Sequence, residues 1–492
     1  MAPVREACGV FGVYAPFVEV APLVFDGLFC LQHRGQESAG MAVSDGETIT
    51  VVKDMGLVTS VFTPRSLHSL QGHLGLGHVR YSTMGKSNWR NAQPVYRSHG
   101  DAGFALGHNG NLTNVATLES EAGMLPGFTP SDSDLIGELL DRACPEADGG
   151  SIPDGLEKAL CSVLPRMEGA YALALIDADR LYAARDPNGF RPLCLGRLDE
   201  SDGEGWVVAS ESPALATVGA DFVREIDPGE LVIIGQDGVR SLRPFPPGRV
   251  APRLCVFEFV YFARPDAELC GWEVHAARRR MGERLASESP AEADLVIGVP
   301  DSGVPAAEGY AHRSGIPFGQ GLVKNRYIGR TFIVPTPEAR VDDVRRKLNP
   351  LRESIGGKRL VVIDDSIVRG TTTSQIVRVL RETGAREIHL RISSPPFRWP
   401  CFYGIDTPVR EELLAAFSDP KSIAAKLGAD SVAYLSLEGL FESVGVPGSE
   451  LCSACLTGEY PTPVPLAVPG ATASARRAMA PSTGTDRVVR RS

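Results

Sequence analysis

No stretch of this 492-residue chain stays apolar long enough to cross a membrane. The nearest approach, CGVFGVYAPFVEVAPLVFDGLFCL at 8–31, is broken by Pro16, Glu19, Pro22 and Asp26, and no basic-then-apolar leader precedes it. Basic charge is short too. Fifty Lys and Arg face 60 Asp and Glu, a net charge of −10, so no overall field draws the chain to nucleic acid or anionic lipid. Ten cysteines in such a length exclude the disulfide framework of a small secreted domain. No internal repeat is present. What these absences leave is a cytosolic protein whose length exceeds a single core, so two or more domains are expected.

The first half carries short strand candidates bounded by glycine and Asp or Asn turns: GVFGVYA, ETITVVKDMG, LGLGHVRYST, GFALGHNGNL, GAYALALIDADRLYAARD and GELVIIGQDGV. Helical patterns such as SDLIGELLDRA and LEKALCSVLPRM fall between them. A Pro- and Arg-rich stretch near 241–253 reads as a linker. Beyond it, ADLVIGVP, RLVVIDD and REIHLRISS are β-branched runs of the kind buried on both faces of a parallel sheet. With helices between them they predict a doubly wound α/β domain whose ligands sit at the C-terminal strand ends. Residues 466–492 are biased to Ala, Pro, Arg and Thr and read as a disordered tail.

Within RLVVIDDSIVRGTTTSQIV (359–377), a buried strand ends in Asp364 and Asp365. The loop Gly370-Thr371-Thr372-Thr373 then opens a helix. N–H groups and hydroxyls at a helix N-terminus suit a monoester phosphate, and the acids upstream suit ribose hydroxyls or a divalent cation. Phosphate on one side and a diol on the other describe a phosphorylated ribose. The segment resembles the phosphoribosyltransferases, whose signature is two hydrophobics, two acids and a GTT-type loop. VIGVPDSGVPAA (296–307) resembles that family's pyrophosphate loop, with Ser302 near a Mg²⁺-pyrophosphate. GLVKNRYIGRTF (321–332), with Lys324, Arg326 and Arg330, resembles the loop that closes over substrate.

At the other end, Cys8 stands directly before the first strand, followed by GHVRYSTMG (77–85), GHNGNL (107–112) and SDSD (131–134). Amide hydrolysis needs a nucleophile, a base, donors for the oxyanion and anchors for the substrate. Were the chain cut after Ala7, Cys8 would carry a thiol and an α-amine of pKa near 8 on one residue, and no histidine need be recruited. Asn109 and Gly110, read as a tight turn, suit an oxyanion hole. Arg80 suits an α-carboxylate, and Asp132 an α-ammonium. Read singly, Arg80 and Asp132 are surface ion-pair residues and Cys8 a small buried hydrophobe. Together they describe a pocket for glutamine, and they resemble the N-terminal-nucleophile glutamine amidotransferases.

Both halves in one chain narrow the resemblance to the glutamine phosphoribosylpyrophosphate amidotransferases, over residues 8–465. That family implies an αββα amidotransferase domain (8–245) after a propeptide (1–7), then a type I phosphoribosyltransferase domain (255–465). It implies Cys8 as nucleophile, with Arg80, Asn109, Gly110 and Asp132 around glutamine. Asp364, Asp365, Gly370, Thr371, Thr372, Lys324 and Arg326 would bind phosphoribosyl pyrophosphate, with Ser302, Asp364 and Asp365 at Mg²⁺. Departures are Phe259 and Ala267 where Tyr and Ser are usual, and Asp134 where Glu is commoner.

Cys452-Ser-Ala-Cys455 supplies two metal ligands, and Cys255 and Cys401 supply two more. By count, four thiolates fit zinc and an iron–sulfur cluster equally. The resemblance points to the branch with a [4Fe–4S] cluster, in a structural or regulatory role. Cys30, Cys144, Cys161, Cys194 and Cys270 are assigned to packing. The family further implies ammonia passing between the sites along a dry passage to give 5-phosphoribosylamine, purine nucleotide feedback and a homo-oligomer. A base-specific phosphoribosyltransferase would have no use for Cys8, Arg80 and Asn109. The acidic balance and the lack of a DNA-reading motif argue against a transcriptional regulator.

Overall fold

The structure is a computed structural model and describes residues 8–81, 88–99, 102–125, 127–144, 152–200, 203–325, 348–405, 407 and 409–464. Thirteen strands of its first half are β1 (Gly9–Tyr14), β2 (Ser38–Ser44), β3 (Ile49–Met55), β4 (Leu74–Arg80), β5 (Val95–His99), β6 (Ala102–Leu112), β7 (Gly169–Ile176), β8 (Leu181–Arg185), β9 (Cys194–Glu200), β10 (Gly203–Ala209), β11 (Asp221–Glu225), β12 (Leu231–Gly235) and β13 (Gly238–Leu242). They form two sheets, ordered β11-β9-β10-β1-β4-β2-β3 and β13-β12-β8-β7-β6-β5.

Strand alternation sets the layers. Phe11 and Val13 of β1 point outward onto Val24 and Leu28 of helix α1 (Ala21–Cys30). Val10 and Tyr14 point inward, against Ala172, Ala174 and Ile176 of β7. Leu173 and Leu175 of β7 turn the other way, onto helices α2 (Asp132–Ala143) and α3 (Ile152–Val163). The result is an αββα sandwich in which alanines keep the facing sheets close. Two elements differ from expectation. SAGMAVS, too rich in small residues to read as a strand, is β2, buried at all seven positions. His108-Asn109-Gly110-Asn111 is not a turn: it lies within β6, paired to Ala170–Leu173 of β7.

The second half builds β14 (Leu254–Cys255), β15 (Glu268–Leu269), β16 (Trp272–Glu273), β17 (Leu295–Gly298), β18 (Leu322–Lys324), β19 (Leu348–Pro350), β20 (Arg359–Asp364), β21 (Glu387–Ile392), β22 (Ser431–Tyr434) and β23 (Leu451–Cys452). Strands β17-β20-β21-β22 form an all-parallel sheet. Val361 and Ile363 pack on helices α4 (Val274–Glu288) and α5 (Val304–Ser314). Leu360 and Val362 pack on α6 (Thr371–Glu382) and α7 (Pro420–Leu427). Both faces are covered, which is why these strands read as continuous apolar runs. Among the described residues no helix is long and apolar enough to cross a membrane.

A buried charge array joins the halves. Arg34, between α1 and β2, pairs with Glu211 and, at 2.5 Å, with Glu258; Arg191 pairs with Glu258 at 3.1 Å. All four side chains are at most 1% exposed. The packing assignment of Cys270 is corrected: it is exposed, at φ 51° in the two-residue turn between β15 and β16. With Gly271 also at positive φ, that turn matches the twist of a hairpin.

Candidate active sites

Cys8 is placed by strand pairing. β1 runs antiparallel to β4 with Gly9 opposite Val79, which sets Cys8 beside Arg80 and Tyr81. Its Sγ donates to the Tyr81 carbonyl at 3.5 Å. Burial pushes the thiol up, against the opposing pull of the Arg80 charge. A thiol so placed is protonated at neutral pH and needs a base. Arg80, Asp132 and Glu37 act on its charge, and none is an imidazole.

Arg80 and Asp132, readable as surface residues, are 4% and 8% exposed. Asp132 is the first residue of α2, whose N-cap Ser131 accepts from the Asp134 N–H at 3.2 Å. Its carboxylate accepts from the N–H groups of Ser133 at 2.9 Å and Leu112 at 3.2 Å, and lies 3.7 Å from His108 Nδ1. Burial opposes ionisation, yet His108 and these N–H groups hold the carboxyl below its ordinary range. From the facing sheet, His78 Nε2 reaches the His108 carbonyl at 3.0 Å, and burial pushes that imidazole down to about 3.

Asn109 is fully buried, and neither its amide oxygen nor its amide nitrogen has a hydrogen-bond partner. Buried polar atoms are nearly always bonded, so an orphaned amide marks a place for a ligand. Gly110 next to it sits at φ 150°, where a Cβ would fall 2.0 Å from the Ala170 carbonyl. Only glycine fits there.

The second site lies at the C-terminal edge of the parallel sheet. Gly298 of β17 pairs with Ile363 of β20, so residues 299–302 leave the sheet beside Asp364 and Asp365. Ser302 Oγ donates to the Asp365 carboxylate, as does Ser366 at 2.5 Å. Burial and mutual repulsion raise Asp364 well above the usual range, and burial raises Asp365 as well. Gly370, at φ 77°, turns the chain into α6, with Thr371 exposed and Thr372 half-buried at its first turn. Lys324 pairs with Asp301 at 2.5 Å. Arg326 and Arg330 lie outside the described residues. Sequence reasoning missed Arg278 of α4, because nothing in Arg278-Arg279-Arg280 marks one of the three as buried. It is 3% exposed, donates to the carbonyls of Phe259 and Ala263 at 2.8 Å each, and pulls Asp365 toward ionisation.

Cys255 and Cys452 are register partners in the parallel pair β14–β23, and Cys455 follows in a short helix at Ala454–Thr457. The Tyr403 N–H donates to Cys401 Sγ at 3.3 Å. None of the four is in a disulfide. Burial raises every one of them, Cys255 to about 12; the charges of others in the set raise Cys255, Cys452 and Cys455 further, while Arg191 acts the opposite way on Cys255, Cys401 and Cys452. Among the described residues no three His, Cys, Asp or Glu are grouped so that they could hold a metal ion.

Residues 78–217 match the model of a glutamine amidotransferase domain, and 273–393 that of a phosphoribosyl transferase domain. An amidophosphoribosyltransferase of Mycobacterium tuberculosis is 52% identical over 474 residues, covering 94% of this chain and 87% of that one. The chain belongs to the amidophosphoribosyltransferase family. The Bacillus subtilis amidophosphoribosyltransferase is 43% identical, over 94% of this chain and 95% of its own. A solved structure of the B. subtilis glutamine phosphoribosylpyrophosphate amidotransferase, complexed with ADP and GMP, superposes with a TM-score of 0.83 at 42% identity, covering 94% of this chain and 99% of that one. The family's activity, glutamine-dependent amidation of phosphoribosyl pyrophosphate in purine biosynthesis, is the activity of this chain.

Proposed function

We propose that the two sites divide that activity into half-reactions in series. Cys8 attacks the side-chain amide of glutamine; with Met1–Ala7 removed, its own α-amine takes the thiol proton. The oxyanion is received by the Asn109 amide and the Gly110 N–H, while Arg80 holds the substrate's α-carboxylate and Asp132 its α-ammonium. Collapse returns that proton from the α-ammonium to the departing nitrogen and expels ammonia, and water then releases glutamate from the thioester. At the second site ammonia attacks C1 of phosphoribosyl pyrophosphate and pyrophosphate leaves, giving 5-phosphoribosylamine. Gly370, Thr371 and Thr372 hold the 5-phosphate, Asp364 and Asp365 accept from the ribose hydroxyls, and Lys324 and Arg326 meet the pyrophosphate. Two carboxylates raised by burial, Asp364 further by repulsion from Asp365, form with the Ser302 hydroxyl a hard oxygen set that fits Mg²⁺. Bound there, Mg²⁺ would offset charge on the departing pyrophosphate.

Cys255, Cys401, Cys452 and Cys455 would hold a [4Fe–4S] cluster in a structural role. Thiols raised by burial, three of them further by the charges of their neighbours, are poorly placed to ionise without a metal. Purine nucleotides as effectors, a homo-oligomer and a cytoplasmic location belong to the same reading.

The observation that carries it is the orphaned, fully buried Asn109 amide, on the strand next to the N–H that binds Asp132. Cys8→Ala should abolish glutamine-supported synthesis and leave ammonia-supported synthesis within about twofold, since only the first route uses the thiol. Equal loss from both donors would overturn this division. Intact mass of protein purified without oxygen, with iron and acid-labile sulfide assayed, tests the cleavage after Ala7 and the cluster.

A further inference from the structure

We infer that Phe402–Gly404, a loop of the phosphoribosyltransferase half, sets the geometry of the oxyanion strand in the glutaminase half, with Asn111 as the positioning residue. The inference rests on the glutaminase reading above and adds a part that the glutamine pocket does not itself contain.

Asn109 and Gly110 can receive an oxyanion only if their segment of β6 is held to within a few tenths of an ångström, and β6 is paired there on one side, to β7. The next residue along bonds to the other half. Asn111 Nδ2 donates to the Phe402 carbonyl at 2.9 Å, across 291 residues of sequence. Gly404 closes the contact from above. At φ 99° it presents bare backbone to Gly110, and a Cβ there would sit 3.2 Å from the Gly110 carbonyl carbon and 3.1 Å from Arg191 Nη2.

The loop is itself held from the glutaminase side. Arg191 donates to the Tyr403 carbonyl through Nη2 at 2.7 Å and Nε at 3.2 Å, and the Tyr403 ring stacks on Phe190 with centroids 4.2 Å apart. Tyr403 packs in one cluster with Ala170, the register partner of Asn111. Both edges of the oxyanion segment are thus built on the same loop. That loop begins at Cys401, whose sulfur accepts from the Tyr403 N–H.

The geometry makes a specific demand: disturbing the loop must weaken transition-state stabilisation for glutamine without touching glutamine's anchors, Arg80 and Asp132, or the second site. The test uses the full-length enzyme with two variants from opposite sides of the contact, Asn111→Leu, which keeps volume but removes the donor, and Gly404→Ala. For each, glutamine-supported kcat should fall about tenfold or more, by analogy with losing an oxyanion donor, with glutamine KM and the ammonia-supported rate within about twofold. Affinity for glutamate γ-semialdehyde, whose hemithioacetal oxygen occupies the oxyanion position, should fall by the same factor as kcat, which a general loosening of the fold would not produce. The inference is overturned if glutamine-supported kcat survives within about twofold in a folded variant, if ammonia-supported synthesis falls in parallel, or if the aldehyde binds as before. Should Asn111→Leu fail to fold, Gly404→Ala decides alone, and Gly404→Ser replaces it if that fails as well. Failure of the glutaminase reading itself would show separately, as glutamine hydrolysis that survives Cys8→Ala.

Discussion

Removing one carboxylate from the junction offers a demanding test of how the halves are joined. Glu258 is fully buried and neutralises two guanidiniums, Arg34 at 2.5 Å and Arg191 at 3.1 Å, themselves at most 1% exposed. Breaking a buried pair by deleting one partner costs about 3–5 kcal/mol, because the surviving charge stays desolvated. Here Arg34 keeps Glu211, and Arg191 keeps the Tyr403 carbonyl, so Glu258→Met should fall near the lower end, about 3 kcal/mol. A double-mutant cycle with Arg34→Met isolates the pair from the cavity each substitution leaves. Measured by urea unfolding, its interaction energy should be about 1.5–3 kcal/mol. The same variants should waste glutamine, releasing more glutamate per 5-phosphoribosylamine formed. An interaction energy below about 0.5 kcal/mol would place the pair with exposed surface bridges and refute the reasoning.

Three further outcomes follow from local geometry. Glu211 is held well below the ordinary carboxylate range by Arg34 and His33 despite its burial. Its contribution is therefore complete above the unfolded pKa of about 4.3 and is lost as pH falls through the lower folded value; since Arg34 and His33 belong to its own half, the glutaminase half should lose stability below about pH 4, and its thermal midpoint followed down that range would report it. Asp364 titrates the other way: its raised folded pKa means stability present at low pH and lost as pH rises, so Asp364→Asn should raise the ligand-free Tm at pH 8 by roughly 2–4 °C while abolishing transfer. Gly370→Ala puts a Cβ 2.6 Å from Leu414 and strains φ 77°, and should raise the KM for phosphoribosyl pyrophosphate about tenfold without altering glutaminase activity measured alone.

Local chemistry was legible from the chain, and long-range chemistry was not. RLVVIDD could be placed as a doubly buried parallel strand because both faces of β20 are covered and every residue must be apolar until the acids end it. β2 escaped because its residues are chosen for the narrow space between neighbours rather than for strand propensity: a Cβ on Gly40 would strike the Gln93 carbonyl at 2.2 Å. HNGN looked like a turn on composition alone, since the φ of 150° that Gly110 needs inside a strand gives the same glycine signal. The buried arginines Arg34, Arg191 and Arg278 carry no local mark at all. Arg34 meets Glu258 across 224 positions, and Arg278 reads like its two half-buried neighbours. Phe259, which stands where tyrosine is usual, is fully buried and contributes its carbonyl to Arg278, while Glu258 bears the charge.

Why the junction is ionic follows from what the two sites exchange. Ammonia released by glutamine hydrolysis loses its nucleophilicity on protonation in bulk water, so the sites must hold one fixed alignment rather than merely remain in contact. A purely apolar interface supplies adhesion with little preference for register, whereas buried charges tolerate only the arrangement that pairs them all. Two of the segments by which the phosphoribosyltransferase half makes the contact end beside chemistry. Phe402–Gly404 touches the strand of Asn109, and the turn Glu258–Phe262 carries both the partner of Arg34 and a carbonyl that fixes Arg278, whose charge acts on Asp365. An error of register at either contact would therefore displace a reacting group, which makes alignment of the halves and competence of the sites a single structural requirement.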